Sequence, residues 1–142
     1  MPINSFSVGR DISYSVVTSS GTLTLNGKTG YSIKPKFSDI NHKGLSGINK
    51  HGYIPDGWQI DMQFDRTDAT LDNYFAQAEA DYFAGVNQQG GTIFENTVEK
   101  DGSITTFRYT DVSLNFDNAG NWKGDSLIPI SVSAMASRRI KV

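Results

Sequence analysis

The clearest pattern along the chain is the strict alternation of Trp58, Ile60, Met62 and Phe64 with Gln59, Asp61, Gln63 and Asp65. Successive side chains of a strand point to opposite faces, so this segment predicts a strand with one apolar core face and one polar, acidic face. Near the C-terminus Ile128, Ile130, Val132, Ala134 and Ala136 alternate in the same way with Pro129, Ser131, Ser133, Met135 and Ser137. After the turn Asn26 to Gly30, Tyr31, Ile33, Pro35 and Phe37 alternate with Ser32, Lys34, Lys36 and Ser38. Proline donates no ladder hydrogen bond, so Pro35 puts this strand at an edge or a bulge. Ile12, Tyr14 and Val16 alternate with Ser13 and Ser15, and Leu23 and Leu25 follow Gly21, which predicts a bent strand or a hairpin.

The period changes once. Leu71, Tyr74, Phe75, Ala78, Tyr82 and Phe83 recur at steps of three, four and seven, the spacing of one apolar helix stripe, with Thr67 or Asp68 able to cap it and Gly85 or Gly90-Gly91 to end it. The expected helix spans about 68–85. The segment from Thr92 to Phe116 then reads as a hairpin around Asp101-Gly102, a pair that suits a type I′ turn. In its second strand Phe107 and Tyr109 occupy odd positions, whereas Val112, Leu114 and Phe116 occupy even ones. A phase flip near Thr110-Asp111 predicts a bulge that re-aims the strand.

One stretch, Asn41 to Gly57, shows no period and reads as a long loop of about 17 residues. Its Leu45, Ile48, Tyr53 and Ile54 have no use in a solvated linker, so the loop is expected to dock on something. The element order contains no second βαβ unit. It predicts one mainly β domain over residues 1–142, an antiparallel β-sandwich or open barrel with one flanking amphipathic helix.

Composition narrows the function classes. With 13 basic and 15 acidic residues the net charge is −2, unlike that of a protein that grips phosphates through a dominant basic surface. Cysteine is absent, which removes disulfides, thiolate metal sites and cysteine nucleophiles. No apolar run approaches the roughly 20 residues that cross a bilayer, and the start MPINSFSVGR has no signal-like apolar segment. A soluble, unprocessed protein made in the cytosol, with no membrane partner, is expected.

Candidate chemistry is sparse. His42 and His51 are the only histidines, nine residues apart in the loop beside Asp39 and Asp56, a spacing that matches no short metal-ligand motif. Asp61 and Asp65 would stand about 13 Å apart along one strand, beyond the separations of paired glycosidase carboxylates. No nucleophile triad, phosphate loop or dinucleotide fingerprint can be assembled. The expectation is therefore no catalytic residues, no metal and no cofactor. Arg138, Arg139 and Lys141 form a basic chain end that is a candidate docking contact.

Several segments taken in order resemble the tail tube proteins of contractile-tailed bacteriophages, a family related to the type VI secretion tube. They are DGWQIDMQFDRTDATLDNYFAQAEADYFAG (Asp56 to Gly85), the hairpin around Asp101-Gly102, the Ser/Ala-rich strand SVSAMASR (Ser131 to Arg138) and the extended opening MPINSFSVGRDISYSVV. The resemblance spans nearly the whole chain and lies in the order of elements, not in one short motif. It implies subunits that close into hexameric rings, with sheets joining between neighbours, and rings that stack into a hollow tube. DNA would pass through the lumen without specific binding, and sheath, baseplate and tape-measure proteins would be partners. Such a protein belongs to the virion tail and is assembled in the host cytoplasm. By position, the stretch with Leu45, Ile48, Tyr53 and Ile54 becomes the inter-subunit loop, and Gln59, Asp61, Gln63 and Asp65 become the lumen face. Lys34 and Lys36 depart from a uniformly acidic lumen: either their strand faces elsewhere or the wall is mixed.

Composition alone leaves two architectures open, a subunit completed by its neighbours and a monomeric sandwich whose loop packs on itself. The rival function is a monomeric ligand- or carbohydrate-binding sandwich with Trp58, Trp122 and Tyr53 as stacking platforms. Trp58 is in phase with core residues, which speaks against it.

Overall fold

The structure, a computed structural model, describes residues 6–19, 21–23, 25–86 and 90–142. The first five residues of the expected extended opening lie outside that range. The strands are β1 (Ile12–Thr18), β2 (Gly21–Leu23), β3 (Lys28–Lys43), β4 (Asn49–Asp65), β5 (Gly91–Val98), β6 (Ile104–Asn118), β7 (Pro129–Ala136) and β8 (Arg138–Lys141), with helix α1 (Thr70–Phe83) between β4 and β5. All pairings are antiparallel. They form one open sheet in the order β2-β1-β5-β6-β7-β4-β3, with β8 on β6 and no closure into a barrel. The mainly β, antiparallel class with one helix is as the sequence implies.

The phase flip in β6 is the corner of the molecule. Asp111 takes φ +54, a left-handed conformation rare for a residue with a side chain. Opposite it the last strand breaks at Ser137, whose N–H donates to the Thr110 carbonyl at 2.9 Å. Before this point β6 pairs with β8 through Phe107 to Thr110; after it, β6 pairs with β7 through Ser113 to Asn118. Gly91 pairs with Val112 and Ile93 with Tyr109, so the bulge leaves Thr110 and Asp111 opposite Thr92 alone. The expected bulge is present, and it turns one half of the sheet over the other.

The core fills the resulting fold. Tyr14, Val16, Ile93 and Tyr109 from one half meet Ile60, Met62, Phe64, Ile130, Val132 and Ala134 from the other, all buried. These are the in-phase residues of the alternating segments. Full burial of one such aliphatic or aromatic side chain contributes about 1.5 to 3 kcal/mol, so the alternation fixes register: a slip by one residue would turn each of these strands inside out. β1, next to one edge of the sheet, also meets β3 at the other edge, since the Tyr14 and Tyr31 rings stack at 4.4 Å and Lys28 Nζ donates to the Tyr14 carbonyl at 2.7 Å.

The helix lies on this body only at its start. Leu71 and Phe75 pack against the core, Phe75 with its ring 4.1 Å from that of Phe116. Tyr82 and Phe83, expected on the same stripe, are 73% and 78% exposed. At the N-terminus Asp68 Oδ1 accepts the Thr70 N–H at 3.1 Å, and that bond holds the Asp68 carboxyl below the usual carboxylate range.

The β5–β6 hairpin exists, but its turn is not type I′. The Gly102 N–H donates to the Glu99 carbonyl, and Gly102 alone takes positive φ, at +89°. Asp101 instead uses its carboxylate to accept the Ser103 N–H at 2.9 Å. That is a type I turn followed by a left-handed glycine, the usual three-residue alternative.

Candidate assembly surfaces

The stretch Asn41 to Gly57, expected to be a loop, is instead most of the far end of a long hairpin. Residues 41–43 pair with 49–51 in continuous register, and the arms run back to Lys36 and Gly57. Only the turn from Gly44 to Ile48 lies between the strands. Pairing of β4 with β7 begins at Trp58, so beyond that residue the two arms pair only with each other among the described residues. At the root, Phe37 pairs with Pro55 and Lys36 with Gly57, leaving Asp56 as the extra residue of a bulge. Gly57 takes φ +114, and a side chain there would run into the Ala136 carbonyl. Glycine lets the hairpin leave the sheet at this point. Eight residues per arm at about 3.3 Å each carry the tip roughly 25 Å beyond the body.

Every residue of the four-residue docking set lies on this projection. Leu45, Ile48, Tyr53 and Ile54 are all exposed, as are Phe37 and Ile40. Tyr53 meets Phe37 edge-on at 4.8 Å, which stiffens the arm without burying it. A free two-stranded ribbon with apolar side chains in water is marginal by itself.

The polar face of β4 lies opposite the core, where Ser32, Lys34, Gln59, Asp61, Gln63 and Ser133 line a shallow depression of about 460 Å³. Asp61 accepts hydrogen bonds there from Ser133 Oγ at 3.0 Å and Gln59 Nε2 at 3.5 Å. Lys34 pairs in register with Gln59 and shares this face, so the face is of mixed charge. Asp65 continues the same side of β4 to its far end, where it borders a separate small depression with Leu25 and Leu71 near the start of α1.

The basic chain end divides. Arg138 and Lys141 are exposed, but Arg139 is not a free docking side chain. Its guanidinium lies 3.7 Å from the Phe107 ring centre and 4.9 Å from that of Trp58, and Nη2 is 3.4 Å from Glu95 Oε2. Glu95 is only 2% exposed and also accepts the Tyr109 hydroxyl at 2.9 Å. Burial of a carboxylate requires a partner of opposite charge, and β8 supplies it. Sequence reading missed Glu95, although a signal exists: in β5 it follows Ile93 by two, a charge in core phase.

The proposed stacking residues do not form one site. Tyr53 and Trp58 border a cleft of about 300 Å³ with Pro35, Phe37 and Arg138, whereas Trp122 does not line it and lies instead against the Arg66 guanidinium at 5.5 Å. His51 Nδ1 hydrogen-bonds Asn41 Oδ1 at 2.6 Å across the hairpin. Among the described residues no three His, Cys, Asp or Glu side chains gather as a metal site requires.

The arrangement is thus a curled open sheet with one helix and a projecting hairpin. No family model and no curated protein match the sequence. Solved structures do match in fold. A chain of the anti-feeding prophage tube-terminating cap superposes with a TM-score of 0.66 at 9% identity, covering 100% of this chain and 94% of that one. A chain of the PVC sheath-tube complex in its extended state gives 0.57 at 12% identity, over 91% and 87% of the two chains. A chain from the tail of the empty gene transfer agent particle, refined with C6 symmetry, gives 0.57 at 15% identity, over 96% and 99%.

Proposed function

We propose that this chain is the tube subunit of a contractile tail, which polymerises as stacked hexameric rings into the hollow conduit for genome ejection. It performs no catalysis. The observation that carries the reading is the hairpin from Phe37 to Pro55, whose Phe37, Ile40, Leu45, Ile48, Tyr53 and Ile54 side chains all stay exposed among the described residues. A neighbouring copy would cover them, and the fold shared with chains of such assemblies, one of them a tail refined with C6 symmetry, supports that arrangement. The lumen wall is assigned to the Gln59, Asp61, Gln63 and Asp65 face, with Lys34 making it mixed, so that DNA phosphates meet no sustained positive surface. The remaining contacts would be with sheath, baseplate and tape-measure proteins, in a tail assembled in the host cytoplasm.

The test shortens the hairpin within its own register. Asp39 and Tyr53 are directly paired, so residues 40–52 can be replaced by Asn-Gly, which closes such a pair with a type I′ turn. The shortened chain is expected to keep its circular dichroism spectrum and to sediment as a monomer at concentrations where the full chain polymerises. Polymers of normal length from the shortened chain would overturn the reading.

A further inference from the structure

The hairpin tip and the end of the helix are opposite in charge and alike in exposed apolar surface. From Asn41 to His51 the tip carries Lys43 and Lys50 with no carboxylate, around the exposed Leu45 and Ile48. From Glu79 to Val86 the helix end carries Glu79 and Asp81 with no basic residue, around the exposed Tyr82, Phe83 and Val86. The C-terminal carbonyls of α1 add partial negative charge there, which favours lysines. Two other exposed apolar places match the tip less well. The cleft at the hairpin root holds Arg138 and would repel it. Around Trp122 and Leu127 the charges cancel, with Lys123 against Asp125.

We propose that the hairpin tip of one copy docks on the C-terminal end of α1 of the next copy, Leu45 and Ile48 against Tyr82 and Phe83, with Lys43 and Lys50 facing Glu79 and Asp81. This rests on the assembly reading above and names the receiving surface within it. The two patches are different parts of the chain, so the contact is head-to-tail and generates a ring or a helical polymer in place of a closed dimer. Opposed charges would also steer encounter and set register between copies.

Charge reversal tests it with the whole chain. K43E/K50E and E79K/D81K are expected each to raise the critical concentration for polymerisation at least tenfold. The four-fold variant, which restores opposite signs, is expected to return it to within about threefold of the parent. Thermal midpoints of all variants are compared first, to confirm that the subunits fold. Polymerisation of either reversed variant at the parental concentration overturns the docking assignment and leaves the assembly reading standing. Loss in both without recovery in the combination also overturns it. A parent chain that stays monomeric at every concentration overturns both.

Discussion

The Arg139 guanidinium lies 3.4 Å from the carboxylate of the buried Glu95, joining β8 to β5 across β6. The same side chain covers the Phe107 ring and reaches Trp58 on β4. One arginine therefore ties both halves of the folded sheet together at the side where they meet.

Replacing Arg139 by methionine is expected to cost about 3 kcal/mol, because it strands the buried Glu95 charge as well as removing the cation–ring contacts. The double change R139M/E95Q, which removes the stranded charge, should recover part of that loss. Urea denaturation of the two variants and the parent checks this. Equal stability of R139M and the parent would show that the pair does not hold the fold.

Much of the body was legible in the sequence, because β4 and β7 each have a core on one side and water on the other. Ile60, Met62 and Phe64, or Ile130, Val132 and Ala134, write that difference as a period of two. The β6 bulge was legible for the same reason, as a break in phase between Tyr109 and Val112. The hairpin was not. Its arms from Phe37 to Pro55 are exposed on both faces, so nothing imposes alternation, and a paired ribbon reads like a loop. The Arg139 pairing with Glu95 was not legible either, because the two residues stand 44 apart, beyond the reach of any local pattern.

Burial pushes the Tyr14, Tyr31 and Tyr109 phenols well above their ordinary value of 10.0, with the nearby Glu95 charge adding to the rise at Tyr31 and Tyr109. The folded state thus keeps protons that the unfolded chain releases from about pH 10. The contribution of these groups is complete below pH 10 and is lost as pH rises above it. Urea midpoints are expected to be flat from pH 8 to 9 and to fall above 10, and Tyr14→Phe should make that fall shallower. Phenolate absorbance from all 6 tyrosines at pH 11 with the native spectrum intact would contradict this.

Asp61 faces the polar depression and its strongest bond is to Ser133, so a charge change there leaves the core untouched. Tails built from an Asp61→Lys, Asp65→Lys chain are expected to assemble at normal length and to release their genome several-fold more slowly, as lysines on a lumen wall hold phosphates. Release at the parental rate from assembled particles would remove this face from the lumen.

A tube subunit must polymerise. Electron microscopy of the purified full-length protein at high concentration measures that directly. The expected images are hollow tubes built of stacked sixfold rings. A strictly monomeric species at every concentration, by imaging and light scattering together, would contradict the account.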